Sequence, residues 1–327
     1  MSADSAWLFT VNAGSNDVSV FSVQPRNLTL VDRVSFQGIN PISLTVHGSL
    51  LYVLNAGNAS DPASIAGFRF SSRGKLSFIS GSIRPLSSLN PGSTLSPEEI
   101  GFSPDGDHLV VTEKGSNLID SYNLKNGVAT GPTVNNSSGV APYGFDFSSG
   151  NHLVVSEAAK SAASSYKLIG QGLAPITVSV LDTQAAACWL VVTCDGVFTY
   201  AANAASGTIS GYAIDNQGNL SLLRSDGING VTGPGSHPVD MAFGDNDNFL
   251  YVLASGNQTI LLCQAQERRP PRIQVHRIRR LNDPQDDILA SRATQHQSGR
   301  ANEGQECAHL PFIAAMSAFR RAGCHFH

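Results

Sequence analysis

The sequence predicts an all-β protein, a β-propeller with about six recognisable four-stranded units in its 327 residues. Three observations lead there. A short segment recurs six times in one register: Trp7–Gly14, Leu50–Gly57, His108–Gly115, His152–Ala159, Phe198–Ala205 and Phe249–Gly256, each with its strand ending at the sixth residue. Such self-similarity at a spacing of roughly 45 residues is the mark of stacked equivalent units. Charged residues make up only 14% of the chain and glycine contributes 31 residues, which suits many short strands joined by tight turns. Stripes with a period of 3.6 residues, which a helical solenoid needs, are missing.

Each unit reads in the same order. An apolar run ending in a polar turn comes first, as in Pro41–Gly48, Pro97–Gly106, Pro142–Gly150, Cys188–Gly196 and Pro238–Asp247. Asp-Gly and Ser-Gly endings close these runs because glycine accepts the positive φ of a hairpin turn. The recurring segment follows as a second strand. A Gly/Ser/Asn turn leads to a third strand: Asp17–Val23, Ser64–Phe70, Leu118–Leu124, Ala163–Leu168 and Thr208–Ile214. A weaker fourth strand begins with Gly or Asn before Leu, at Asn27–Val31, Gly74–Phe78 and Gly218–Leu222. First strands line a channel and fourth strands face solvent, so the inner strands carry the more continuous apolar runs. The Ser/Pro-rich stretch Ile83–Ser96 reads as an inserted loop. Trp7 opens a second strand with no first strand ahead of it.

Charge and composition narrow the function classes. The net charge of −4 gives no reason to expect a nucleic-acid partner. No run approaches the roughly 18 apolar residues of a membrane helix, and residues 1–7 show no signal-peptide pattern. A cytoplasmic location is the default, with secretion the alternative if a leader precedes this chain. Six Asn-x-Ser/Thr acceptor sequences, at Asn27, Asn58, Asn135, Asn136, Asn219 and Asn257, matter only in that second case. Five cysteines form no framework. Cys188 and Cys194 lie in one expected strand, about 20 Å apart at about 3.3 Å per residue, too far for a mutual disulfide. All five are expected as free thiols. With no His/Cys cluster or consecutive ligand loop, neither a metal nor a cofactor is expected.

The repeats resemble the lactonase family of seven-bladed β-propellers, which includes one type of 6-phosphogluconolactonase and the fungal carboxymuconate lactonizing enzyme. The residues carrying the likeness are Asn12–Phe21, the Phe102-Ser103-Pro104-Asp105-Gly106 turn and Gly218–Leu223, within a matching span of about residues 5–262. The resemblance implies seven blades and an enzyme that opens or closes a small lactone or cyclic acid at the channel mouth, a lactone hydrolase or a lactonizing enzyme. It also implies His and Arg near the starts of inner strands. Here those positions read Pro97-Glu98-Glu99, Pro142-Tyr143-Gly144 and His237-Pro238-Val239-Asp240. A phosphate or tricarboxylate substrate would want Arg or Lys at hand. Their scarcity keeps a second reading open: a binding or scaffold propeller without catalysis, or an inactive, truncated member of the family.

Candidate chemistry follows from position. Second-strand ends should point to the channel mouth, where the chain places Asn12, Asn55, Glu113, Glu157, Asn203 and Ala254. Asn caps a turn and tolerates left-handed backbone; Glu does so less well. Glu113 and Glu157 are therefore candidate paired carboxylates, a general acid and base. The competing reading makes them solvated turn residues, Glu113 beside Lys114 and Glu157 near Lys160. His237, in a loop before an inner strand, is a candidate general base. Glu98, Glu99, Tyr143, Trp189 and Asp240, with Asn12, Asn55 and Asn203, are candidate substrate contacts. Packing between blades is the competing role for Tyr143 and Trp189. The expected partner is a small-molecule substrate, and a properly closed ring would be a monomer.

The pattern fails after Ile260. Residues 1–265 carry 11 Lys/Arg against 19 Asp/Glu, while residues 266–327 carry 10 Arg, no Lys and 6 Asp/Glu. The expected organisation is a propeller over 1–262 and an irregular, disordered basic tail over 263–327, as from a shifted reading frame or a retained intron. Ends left unpaired in this way invite aggregation and predict poor stability.

Overall fold

The computed structural model describes residues 1–35, 38–88, 94–244, 247–265 and 273–280, and these form six antiparallel sheets. The first contains β1 (Trp7–Asn12), β2 (Asp17–Gln24) and β3 (Asn27–Ser35). The second contains β4 (Pro41–His47), β5 (Leu50–Asn55), β6 (Ser64–Phe70) and β7 (Leu76–Phe78), with β8 (Arg84–Pro85) also on β6. The third contains β9 (Pro97–Phe102), β10 (His108–Glu113), β11 (Leu118–Lys125) and β12 (Val128–Asn136). The fourth contains β13 (Pro142–Phe147), β14 (His152–Glu157), β15 (Ala162–Ile169) and β16 (Gly172–Leu181). The fifth contains β17 (Ala187–Val192), β18 (Phe198–Asn203), β19 (Thr208–Ile214) and β20 (Leu220–Leu222), with β21 (Gly230–Val231) on β19. The sixth contains β22 (Pro238–Gly244), β23 (Phe249–Ala254), β24 (Thr259–Ala265) and β25 (Ile273–Arg280). Strands follow one another through each sheet in chain order, as in propeller blades.

Successive sheets pack face to face, and alternation along each second strand makes this possible. Leu51 and Val53 join Phe9, Val11, Val18 and Val20 of the first sheet, whereas Tyr52 and Leu54 join Ile100, Leu109 and Val111 of the third. One strand thus seals two interfaces, because its side chains point alternately to opposite faces. The pattern repeats with Val110 and Leu153 between sheets three and four, Val154 and Leu190 between four and five, and Tyr200 and Val252 between five and six. Each fully buried Leu or Val contributes about 1.5–3 kcal/mol of transfer free energy. These five cores join six sheets in series. Among the described residues no comparable core joins the sixth to the first.

Every recurring second strand has the limits that the sequence implies, and the first sheet has three strands with β1 innermost. The six sheets are those of the described residues; the seven implied by the resemblance are not all found there. The fourth strands β12 and β16 were hidden by their composition. They are solvent-facing, mix polar and apolar residues, and each contains a proline, Pro132 or Pro175. Past residue 262, β24 runs to Ala265 and β25 pairs with it as a fourth strand, although no Gly-x-Leu signal marks it. The rest of the expected tail lies outside the described residues. Two cysteines correct the expectation of free thiols: Cys188 and Cys194 are disulfide-bonded, while Cys263 is free and buried. The length of an extended strand bears only on a bond between those two and says nothing of other partners. Cys307 and Cys324 lie outside the described residues. No helix among the described residues is long and apolar enough to cross a membrane.

Candidate active site

The second-strand ends form one repeated structural position. Each faces the third-strand residue two places beyond its register partner. Asn12 pairs in register with Asp17 and donates to Ser19 Oγ at 2.8 Å. Asn203 pairs with Thr208 and donates to Ser210 Oγ at 2.7 Å. Glu157 pairs with Ala162 and accepts from Ser164, and also from Ser179. Gly139 must lack a side chain here, since a Cβ would lie 1.8 Å from Glu157 Oε2. In the third sheet the facing residue is Asp120 instead of serine. Burial and the neighbouring Glu113 carboxyl push Asp120 up to about 8, so near neutral pH it holds a proton that its neighbour can accept. Glu113 also accepts from Ser87 N–H (3.1 Å), Ser87 Oγ (2.6 Å) and Ser116 Oγ (2.6 Å). In the second sheet the facing residue is Ala66, and both side-chain polar atoms of Asn55 are buried without a partner.

This position is interior. Asn55, Glu113, Glu157 and Asn203 are all 0% exposed; Asn12 is half-buried. The carboxylates expected as a pair go to different partners, each at its own turn. Neither uses the lysine beside it in the sequence: Lys114 instead reaches Glu98, with Nζ 2.6 Å from Oε1.

The channel edge gathers a different set of acids. Inner strands β4, β9, β13, β17 and β22 pair on one side only, which leaves a second backbone edge. Side chains of the preceding inner strand cap its N–H groups. Ser43 Oγ accepts from Ile100 N–H and Thr45 Oγ1 from Phe102 N–H, both at 3.3 Å. Glu99 Oε2 accepts from Phe145 N–H at 2.7 Å, and Asp146 Oδ2 from Val192 N–H at 2.9 Å. Burial dominates the titration of these acids. It raises Glu99 well above the usual carboxylate range, helped by the fields of Asp146 and Asp240, and pushes Asp146 up to about 6. Asp240 is pushed up to about 7 by burial, against one backbone N–H bond from Met241.

Glu98, Lys114 and Tyr143 complete the cluster near the starts of β9 and β13. Glu98 is raised by burial, partly offset by Lys114 and by a hydrogen bond from the Tyr143 hydroxyl. Lys114 Nζ also lies 5.2 Å from the centre of the Tyr143 ring. Tyr143 itself is raised by burial and by the Glu98, Glu99 and Asp240 charges, and it packs against Val239, the neighbour of Asp240 on β22. Side-chain exposures of 13% for Glu98 and 32% for Lys114 leave this end open to solvent. Tyr143 packs with Ala158, Ala186, Val239 and Leu253, and Trp189 borders that group from β17.

The structure therefore brings together Glu98, Glu99, Tyr143, Asp240 and, at their margin, Trp189. It does not bring Glu113, Glu157, Asn12, Asn55 or Asn203 into that group. His237 is exposed at φ 46°, and its carbonyl accepts from Ser255 N–H at 3.0 Å. Asp146 is not among the residues the sequence singles out, and Lys114, expected beside Glu113, pairs with Glu98 instead. A lone Asp between Phe145 and Phe147 in an inner-strand run is a usable signal, because a carboxylate at such a place needs a specific partner. Among the described residues, no group of three or more His, Cys, Asp or Glu is placed to hold a metal ion.

No family model and no curated protein matches the chain. Solved structures do. A candidate 6-phosphogluconolactonase from Bacteroides fragilis superposes with a TM-score of 0.68 at 19% identity, covering 85% of this chain and 82% of its own. The periplasmic gluconolactonase PpgL of Pseudomonas aeruginosa gives 0.65 at 16% identity, covering 85% and 83%. A virginiamycin B lyase from Staphylococcus aureus gives 0.52 at 15% identity, covering 83% and 74%. Proteins of differing chemistry share this architecture. At these identities the likeness speaks to fold alone, and the chain has the β-propeller fold of these proteins.

Proposed function

We propose that the chain hydrolyses a small lactone at the end of the channel where the inner strands begin. The observation carrying this reading is the grouping of acids from two inner strands around Tyr143: Glu98 through Lys114, Glu99 on the Phe145 N–H, and Asp240 beside Val239. Burial has set two of these acids to different states: Asp240 at about 7 and Glu99 well above the usual range. Carboxyl groups held apart in pKa can divide acid and base work. Asp240 takes a proton from water as its oxygen bonds to the lactone carbonyl carbon. The ring C–O bond then breaks, and the departing ring oxygen takes the Glu99 proton. As the hydroxy acid leaves, the proton on Asp240 passes through solvent to the Glu99 carboxylate, which returns both groups to their starting states. The likeness of fold to a candidate 6-phosphogluconolactonase and a gluconolactonase supports the reading by analogy.

A second reading, binding without turnover, is favoured by one observation: Glu99 and Asp146 already serve as caps for Phe145 and Val192. Hydrolysis followed by proton release separates the two readings. The catalytic reading expects turnover of an uncharged sugar lactone above the spontaneous rate, lowered at least about 100-fold by Asp240→Asn, in line with the usual share of a general base. Equal turnover with and without Asp240 contradicts it.

A further inference from the structure

An oxyanion or phosphate bound in a propeller channel needs cationic side chains or unused backbone N–H groups. Along β9, β13 and β17 the edge N–H groups of Ile100, Phe102, Phe145 and Val192 are already taken by Ser43, Thr45, Glu99 and Asp146. Among the described residues, the cation recorded against the channel acids is Lys114, and Glu98 holds it at 2.6 Å. Four carboxyl groups, Glu98, Glu99, Asp146 and Asp240, stand on the inner strands. In either protonation state these carboxyl groups hydrogen-bond hydroxyl groups, whereas none of them can pair with the charge of an anion, and Trp189 lies half-buried beside them.

We propose that this channel selects uncharged, hydroxyl-bearing lactones and rejects phosphorylated or carboxylated ones, through its carboxyl groups and its capped backbone edge. The proposal rests on the lactone-hydrolysis reading for its site and adds the substrate class.

The test compares gluconolactone with its 6-phosphate ester as substrates of the full chain. In parallel, glucitol and glucitol 6-phosphate, which cannot be hydrolysed, serve as calorimetric ligands. The expected result is a kcat/KM at least about tenfold higher for the uncharged lactone, the scale of one unscreened charge contact. Glu98→Gln frees Lys114 and narrows that ratio. A phosphate ester that is hydrolysed as well as the uncharged lactone, or better, overturns the proposal. If neither lactone is hydrolysed, the catalytic reading fails and the ligands decide: tighter binding of glucitol upholds the charge selection. Tighter or equal binding of the phosphate, or no binding of either, overturns it. Circular dichroism of Glu98→Gln confirms that its change in ratio belongs to a folded protein.

Discussion

Asp120 stands where Ser19, Ser164 and Ser210 stand in other sheets, and the exchange changes what its neighbour must do. A serine donates to the second-strand end, whereas an ionised aspartate cannot. Asp120, fully buried beside the Glu113 carboxyl, therefore keeps its own proton. The folded chain keeps that proton up to about pH 8, but the unfolded chain gives it up near the ordinary value of about 4. The contribution of Asp120 to stability is thus greatest below that lower pH, falls as pH rises towards about 8, and levels off beyond. Asp120→Asn donates without ionising. It should lessen the fall in melting temperature between pH 4 and 8 and raise the melting temperature at pH 9; parallel curves for the two proteins would contradict this. Asn55 shows the opposite defect, since Ala66 offers it nothing and both polar atoms are orphaned. Ala66→Ser should add about 1 kcal/mol of stability, read as a higher urea midpoint at unchanged slope. The second-strand ends were plain in the sequence because their apolar runs stop abruptly. Their partners were not, because the offset to the third strand depends on turn length: seven residues from Glu113 to Asp120, but eleven from Asn55 to Ala66.

At the scale of elements, inner strands are held to their neighbours by side chains placed on an unpaired backbone edge. Thr45 and Phe102 illustrate the energetics. Thr45→Val keeps shape but leaves the Phe102 N–H without its acceptor. The expected loss is about 1–2 kcal/mol, measurable in urea denaturation; no change would mean that water replaces the hydroxyl at no cost. Inner and second strands were legible because burial on both faces demands continuous apolar runs. Outer strands were not. In β16, Ile169 on the adjacent strand and Val178 and Leu181 within it are exposed, so apolar residues there follow no burial pattern. The acid cluster was half legible. Glu98, Glu99 and Asp240 stood out at inner-strand starts, whereas Asp146 lay inside an apolar run and Lys114 next to the wrong partner.

Across the whole molecule, five cores couple six sheets in series, and the candidate site draws on strands from several of them. Glu98 and Glu99 come from β9, Tyr143 from β13, Trp189 from β17 and Asp240 from β22. No single sheet contains the chemistry, so the acids converge only when the sheets curve around a shared channel. The same curvature buries them and separates their protonation states, which links fold to function through desolvation. The pH dependence of lactone hydrolysis tests this link most directly. The expected kcat/KM rises as Asp240 loses its proton near pH 7, falls at higher pH as Glu99 ionises, and loses its rising limb in Asp240→Asn. A profile identical in wild type and Asp240→Asn would contradict it.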